Sequence, residues 1–209
     1  MITITNILDC QKNLMDIDAV VFDLDDTLYS EKEYVKSGYA AIANAFPQVK
    51  NMKKRLWNAF EKKLLAIDYV LDEEGLLLPC HKAKAIEIYR NHTPSITLYP
   101  GVADMLLRLS QKKKLGLLTD GRPEGQWAKI EALGIKRYFE KIIVTDELGG
   151  TRYRKPNEEA FVIMQKAVGV PFERMLYIGD NKVKDFIAPK KLGMKSCFFA
   201  NPDGLYVDR

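Results

Sequence analysis

Five short apolar or β-branched runs, each stopping at a polar or glycine-bearing segment and separated by helical patterns, limit the folds open to this chain. The first run, residues 17–22, stops at Asp23-Leu24-Asp25-Asp26-Thr27, and the others lie at 115–118, 142–144, 175–178 and 195–199. Residues 102–113, 124–133, 158–168 and 184–192 repeat apolar positions three and four apart, with Pro100-Gly101 and Pro156-Asn157 as helix starts. Strands this short and apolar are buried on both faces, and strands alternating with helices pair in parallel. The expected fold is α/β, a parallel sheet with helices on both faces.

One segment interrupts the alternation. Residues 29–98 contain no strand pattern but carry amphipathic stretches at 31–46, 50–67 and 82–90. Ligands of open α/β sheets sit beyond the carboxyl ends of the strands, so an insertion leaving the first strand is expected over the site, as a lid. Residues 1–28 and 99–209 are therefore assigned to the core, and 29–98 to a small all-helical cap domain. A length of 209 residues suits one catalytic domain with such an insertion. Residues 1–16 say little, although Ile2-Thr3-Ile4-Thr5 alternates like an edge strand.

Composition removes several functional classes. The 32 basic and 28 acidic residues are scattered, which leaves little support for nucleic-acid binding. Lys112-Lys113-Lys114 reads as a solvated helix end rather than a binding patch. No apolar run approaches the about 18 residues needed to cross a bilayer. Cys10, Cys80 and Cys197 form neither a zinc spacing nor an even disulfide set, which points to the cytoplasm.

The strand ends carry the chemistry. Asp23 and Asp25 stand two apart, so an extended start to the loop turns both side chains to the same side. One carboxylate of such a pair can attack phosphorus while the other handles the leaving-group proton. Two neighbouring anions and a phosphate also call for a hard cation such as Mg²⁺. An acidic turn capping a helix is the alternative for this motif alone. The second strand ends at Thr119-Asp120-Gly121, where a hydroxyl and loop amides can hold phosphate oxygens, or simply form a tight turn. Lys155 precedes a helix start, where its ammonium can offset phosphate charge. Asp180 stands at a strand tip as a metal ligand, with Asp185 five residues on to steady the shell around it. Four strand ends in this order form a joint signal that no single motif carries.

In these motifs the chain resembles the haloacid dehalogenase-like (HAD) superfamily, phosphatase branch, over residues 17–200. The resemblance implies a Rossmann-like core, Asp23 as nucleophile and metal ligand, and Asp25 as acid/base and ligand through its carbonyl. It further implies Thr119, Asp120 and Lys155 around the phosphoryl group, Asp180 on Mg²⁺, and Asp185 outside the ligand shell. Asp120 departs from the asparagine common at that position and adds negative charge beside a phosphate. The implied substrate is a small phosphorylated metabolite, a sugar phosphate or nucleotide monophosphate, with no nucleic-acid or membrane partner; no motif bears on oligomeric state. Sugar phosphomutase chemistry and a non-catalytic binding role remain alternatives. Asp25 argues against a dehalogenase, and a phosphonate hydrolase would need a cap lysine such as Lys32, Lys36 or Lys50. His81 and His92 lack partner ligands and read as surface or helix-end residues, while Tyr29, Trp57 and Tyr69 line the pocket or pack.

Overall fold

A computed structural model describes residues 1–205. Six strands form one all-parallel sheet: β1 (Ile2–Ile4), β2 (Ala19–Phe22), β3 (Lys114–Thr119), β4 (Lys141–Val144), β5 (Met175–Gly179) and β6 (Lys195–Phe199). Their spatial order is β1-β6-β5-β2-β3-β4. Thus β2 lies between β3 and β5, with Phe22 beside Leu117 on one side and Ile178 on the other. The Ile2 alternation is a real edge strand, pairing with Cys197 to Phe199 of β6.

Side chains alternate across the sheet, so each strand serves two cores. Ala19, Val21, Leu118, Met175 and Tyr177 face Ala160, Phe161, Met164 and Val168 of α7 (Glu159–Val168), with Ala188 of α8 (Ile187–Leu192). The alternate residues Val20 and Phe22 turn the other way, where Phe22 meets Phe139 edge-on at 6.4 Å between ring centroids. Helix α5 (Val102–Ser110) packs on β3, and its Met105 sulfur lies 3.5 Å from Cys10. Each fully buried large apolar side chain contributes about 1.5–3 kcal/mol to this sheet's stability. Cys10 and Cys197 are buried and Cys80 is exposed, none of them in a disulfide.

The chain divides into two compact units, residues 1–31 with the chain from 97 onward, and residues 32–96. The second unit is helical: α1 (Glu31–Ala45) enters it, and α2 (Met52–Glu61), α3 (Ala66–Glu73) and α4 (Pro79–Asn91) complete it. Its core follows the helical period, with Val35, Tyr39, Ile42 and Phe46 meeting Met52, Leu56, Ala59, Val70 and Leu71. The single amphipathic stretch expected over 50–67 is two helices. They part around Lys63, whose φ is +59°, and the Leu64 amide closes the first on the carbonyl of Ala59. No glycine or proline marks that break, so spacing alone did not reveal it.

Two lysines of the 112–114 run are not simply solvated. Lys113 Nζ donates to the Ile17 carbonyl, and Lys114 Nζ to that of Val168 at 2.7 Å. Among the described residues no helix is long and apolar enough to cross a membrane.

Candidate active site

The C-terminal ends of β2, β3 and β5, with the loop that follows β4, bring together the residues singled out by sequence. Asp23, Asp25, Asp120, Lys155 and Asp180 line one cavity of about 270 Å³, joined there by Glu31, Arg154 and Lys184. Thr119, the last residue of β3, is buried beside it.

Lys155 is the hub. Its Nζ donates to Asp23 Oδ1 at 2.7 Å and to the Tyr177 hydroxyl at 2.9 Å, and lies 2.9 Å from Asp185 Oδ1. Burial opposes the charge on Lys155, but Asp185 and Asp23 outweigh it and hold the ammonium well above its ordinary pKa. Asp185 spends its other oxygen on the Asn181 amide at 2.9 Å. Gly179 makes this approach possible, because a Cβ there would stand 2.8 Å from the Asp185 carboxyl carbon. With both oxygens engaged, Asp185 braces Lys155 and the loop after β5.

Carboxylate oxygens of Asp23, Asp180 and Asp185 can all lie within 4.8 Å of one another, and all three residues are buried. Burial raises the Asp23 pKa to about 6 against the pull of Lys155, with repulsion from Asp185 adding to the rise. Burial, then Asp23 and Asp185, push Asp180 up to about 9. The free carboxylate oxygens of Asp23 and Asp180 form an oxygen-only donor pair that suits a hard divalent cation, while both oxygens of Asp185 are engaged by Lys155 and the Asn181 amide.

Asp25 sits in a different environment. Burial would raise its pKa, yet Lys129 at 2.7 Å and hydrogen bonds from Tyr29 and Gln126 lower it overall. Tyr29 Oη donates to Oδ1, while Gln126 Nε2 donates to Oδ2 at 3.0 Å and also to Thr119 Oγ1. Gln126 and Lys129 lie on α6 (Pro123–Ala132) and carry no motif. Sequence reasoning missed both, and a Gln and a Lys at i and i+3 look like any polar helix face until burial is known. Glu31 was also missed; burial, then the nearby Asp25, pushes its pKa up to about 8.

Asp120 is held at several points. Its Oδ1 accepts from Thr145 Oγ1 at 3.0 Å and from the Lys155 amide at 3.1 Å, while Oδ2 pairs with Lys184 at 3.3 Å. Burial works against its charge, but Lys155 and Lys184 lower its pKa, so the side chain has no hydrogen to offer a phosphate. Both of its oxygens are engaged, by Thr145, the Lys155 amide and Lys184. Asp26 is likewise engaged, accepting the Glu31 amide at 2.8 Å and the Leu205 amide at 2.7 Å. His81 and His92 each direct Nδ1 at a backbone carbonyl, at 3.1 and 2.7 Å, away from any cluster of metal-binding groups among the described residues.

A family model for haloacid dehalogenase-like hydrolases matches residues 20–199. The chain belongs to that family. This HAD-like hydrolase is 32% identical over 197 residues to the glyceraldehyde 3-phosphate phosphatase of Methanocaldococcus jannaschii, covering 85% of this chain and 82% of the relative. It is 24% identical over 196 residues to the pyrimidine 5'-nucleotidase YjjG of Escherichia coli, covering 87% and 85%. The magnesium-bound HAD-hydrolase YfnB of Bacillus subtilis shares its fold, with a TM-score of 0.64 at 20% identity over 88% of this chain and 87% of that one.

Proposed function

We propose that this HAD-like hydrolase is a Mg²⁺-dependent phosphomonoesterase for a small phosphorylated metabolite of sugar-phosphate type, working through a phosphorylated Asp23. The observation that carries the reading is the division of labour between two carboxylates: Asp23 held by Lys155 beside Asp180, and Asp25 held by a separate set of donors. The name of the M. jannaschii relative supports a sugar phosphate, and a cavity of about 270 Å³ suits a compact ester. Three cysteines without a disulfide suit the cytoplasm.

In this reading Asp23 attacks phosphorus as the ester P–O bond breaks, and Asp25 passes a proton to the leaving oxygen. Water then attacks the aspartyl phosphate, Asp25 takes its proton, and the phosphate leaves. Lys129 keeps Asp25 ionised in the free site, so the first proton arrives with a substrate bound as monoanion, the form favoured below a second phosphate pKa of about 6. Thr119 and Lys155 hold the phosphoryl oxygens. Asp23, Asp180 and the Asp25 carbonyl would hold Mg²⁺, which would supply charge neutralisation for the phosphate and the nucleophile. Asp185 stays outside that shell and orients Lys155. The helical unit, residues 32–96, acts as the cap that restricts substrate size.

The test is phosphate release from a panel of sugar phosphates, nucleotide monophosphates and glyceraldehyde 3-phosphate, with Mg²⁺ and with chelator. Metal-dependent release led by the smaller esters supports the reading. Isomerisation of a sugar phosphate without phosphate release would replace it with a mutase, and silence across the panel with an intact fold would favour a binding role.

A further inference from the structure

We propose that Gln126 and Lys129 are positioning residues for proton transfer by Asp25, holding its carboxylate in one orientation and coupling it to Thr119. The inference rests on the phosphatase reading and adds two α6 residues that lie outside the four strand-end motifs.

Gln126 and Lys129 are three residues apart, so they share a helix face, and both are buried at 3% and 5% exposure. Lysine is almost never this buried unless paired, and here the partner is Asp25 Oδ1. Gln126 bridges Asp25 Oδ2 and Thr119 Oγ1 with one amide nitrogen. Tyr29 closes the set on Oδ1. Three donors from two chain segments engage both carboxylate oxygens, which removes the free rotation a loop aspartate would have. Gly121 is part of the arrangement: its φ is +143°, and a Cβ there would stand 3.1 Å from Gln126 Cγ and Cδ. A side chain at that position would crowd Gln126, which would have to shift by a few tenths of an ångström.

A purely structural role, neutralising one buried carboxylate, predicts the same loss of rate for every substrate. A positioning role does not. Proton delivery matters in proportion to how poorly the leaving oxygen carries charge, so an alkoxide depends on it and a nitrophenolate hardly does. Misplacing the acid/base by a fraction of an ångström therefore penalises alkyl esters selectively.

The experiment compares kcat/KM for glycerol 1-phosphate and p-nitrophenyl phosphate at saturating Mg²⁺. Lys129→Met is expected to cost about 100-fold on the alkyl ester and less than about tenfold on the aryl ester. Gln126→Met should move in the same direction by about tenfold, and Lys129→Arg should recover part of the alkyl activity. In an Asp25→Asn background, Lys129→Met should cost no more than about twofold, because there is no proton transfer left to position. Equal losses on both esters, or full additivity in that background, would overturn the proposal. Should Lys129→Met fail to fold, Gln126→Met removes no charge and carries the same comparison. A wild type that releases phosphate from neither ester marks failure of the phosphatase reading itself, and both then fall together.

Discussion

Lys155 Nζ lies 2.7 Å from Asp23 Oδ1, an ion pair with both side chains all but inaccessible to solvent and its partners 132 residues apart in sequence. Breaking a buried pair by removing one partner costs about 3–5 kcal/mol, because the other charge stays behind. Lys155→Met should therefore destabilise the protein by about that amount as well as abolish phosphate release. Denaturant unfolding checks the first effect. A loss below about 1 kcal/mol would mean that the carboxylates simply take up protons, as Asp23 and Asp180 are already disposed to do.

Metal binding should release protons. Asp180 is pushed up to about 9 from an ordinary 3.8, so without metal the folded chain holds a proton that the unfolded chain has lost. Its share of stability is greatest at low pH and falls as pH rises between those two values. Mg²⁺ binds the deprotonated carboxylate, so the rise in Tm on adding Mg²⁺ should be larger near about pH 8.5 than near about pH 6. Calorimetry in buffers of differing ionisation enthalpy counts the protons released, and a count of zero with equal Tm shifts would refute the linkage.

Gly179→Ala should weaken the metal site without touching a ligand. The new Cβ would stand 2.8 Å from the Asp185 carboxyl carbon, forcing Asp185 away from Lys155 and the Asn181 amide. Disturbing such an outer brace typically costs about 10–100-fold in metal affinity. Mg²⁺ titration followed by Tm measures this, and unchanged affinity would show that Asp185 is not part of the metal site's support.

How much of this could be read in advance differs from place to place. Asp23, Thr119 and Asp180 were legible because each lies at or just beyond the end of a buried strand, a local pattern that sequence carries directly. Lys129, Gln126 and Glu31 were not, since their place beside Asp25 depends on which helix face or turn meets it, and that is fixed only by tertiary packing. Asp120 was legible as a position but its contacts were not: its oxygens are taken by Thr145, Lys155 and Lys184, from segments far along the chain. The break near Lys63 escaped notice because a left-handed lysine leaves no compositional mark.

Substrate size offers a check on the role proposed for the helical unit, residues 32–96. Turnover should fall steeply from triose and pentose phosphates to a phosphoprotein, with kcat/KM at least about 100-fold lower for the protein. Comparable values for the two would remove the cap from any part in selection.

The most direct test of phosphoryl transfer through Asp23 is a rapid-quench experiment with ³²P-labelled substrate and Mg²⁺, followed by borohydride reduction and peptide mapping. Conversion of Asp23 to homoserine, absent in Lys155→Met and in chelator, is the expected result. Labelling of another residue, or full turnover by Asp23→Asn, would contradict it.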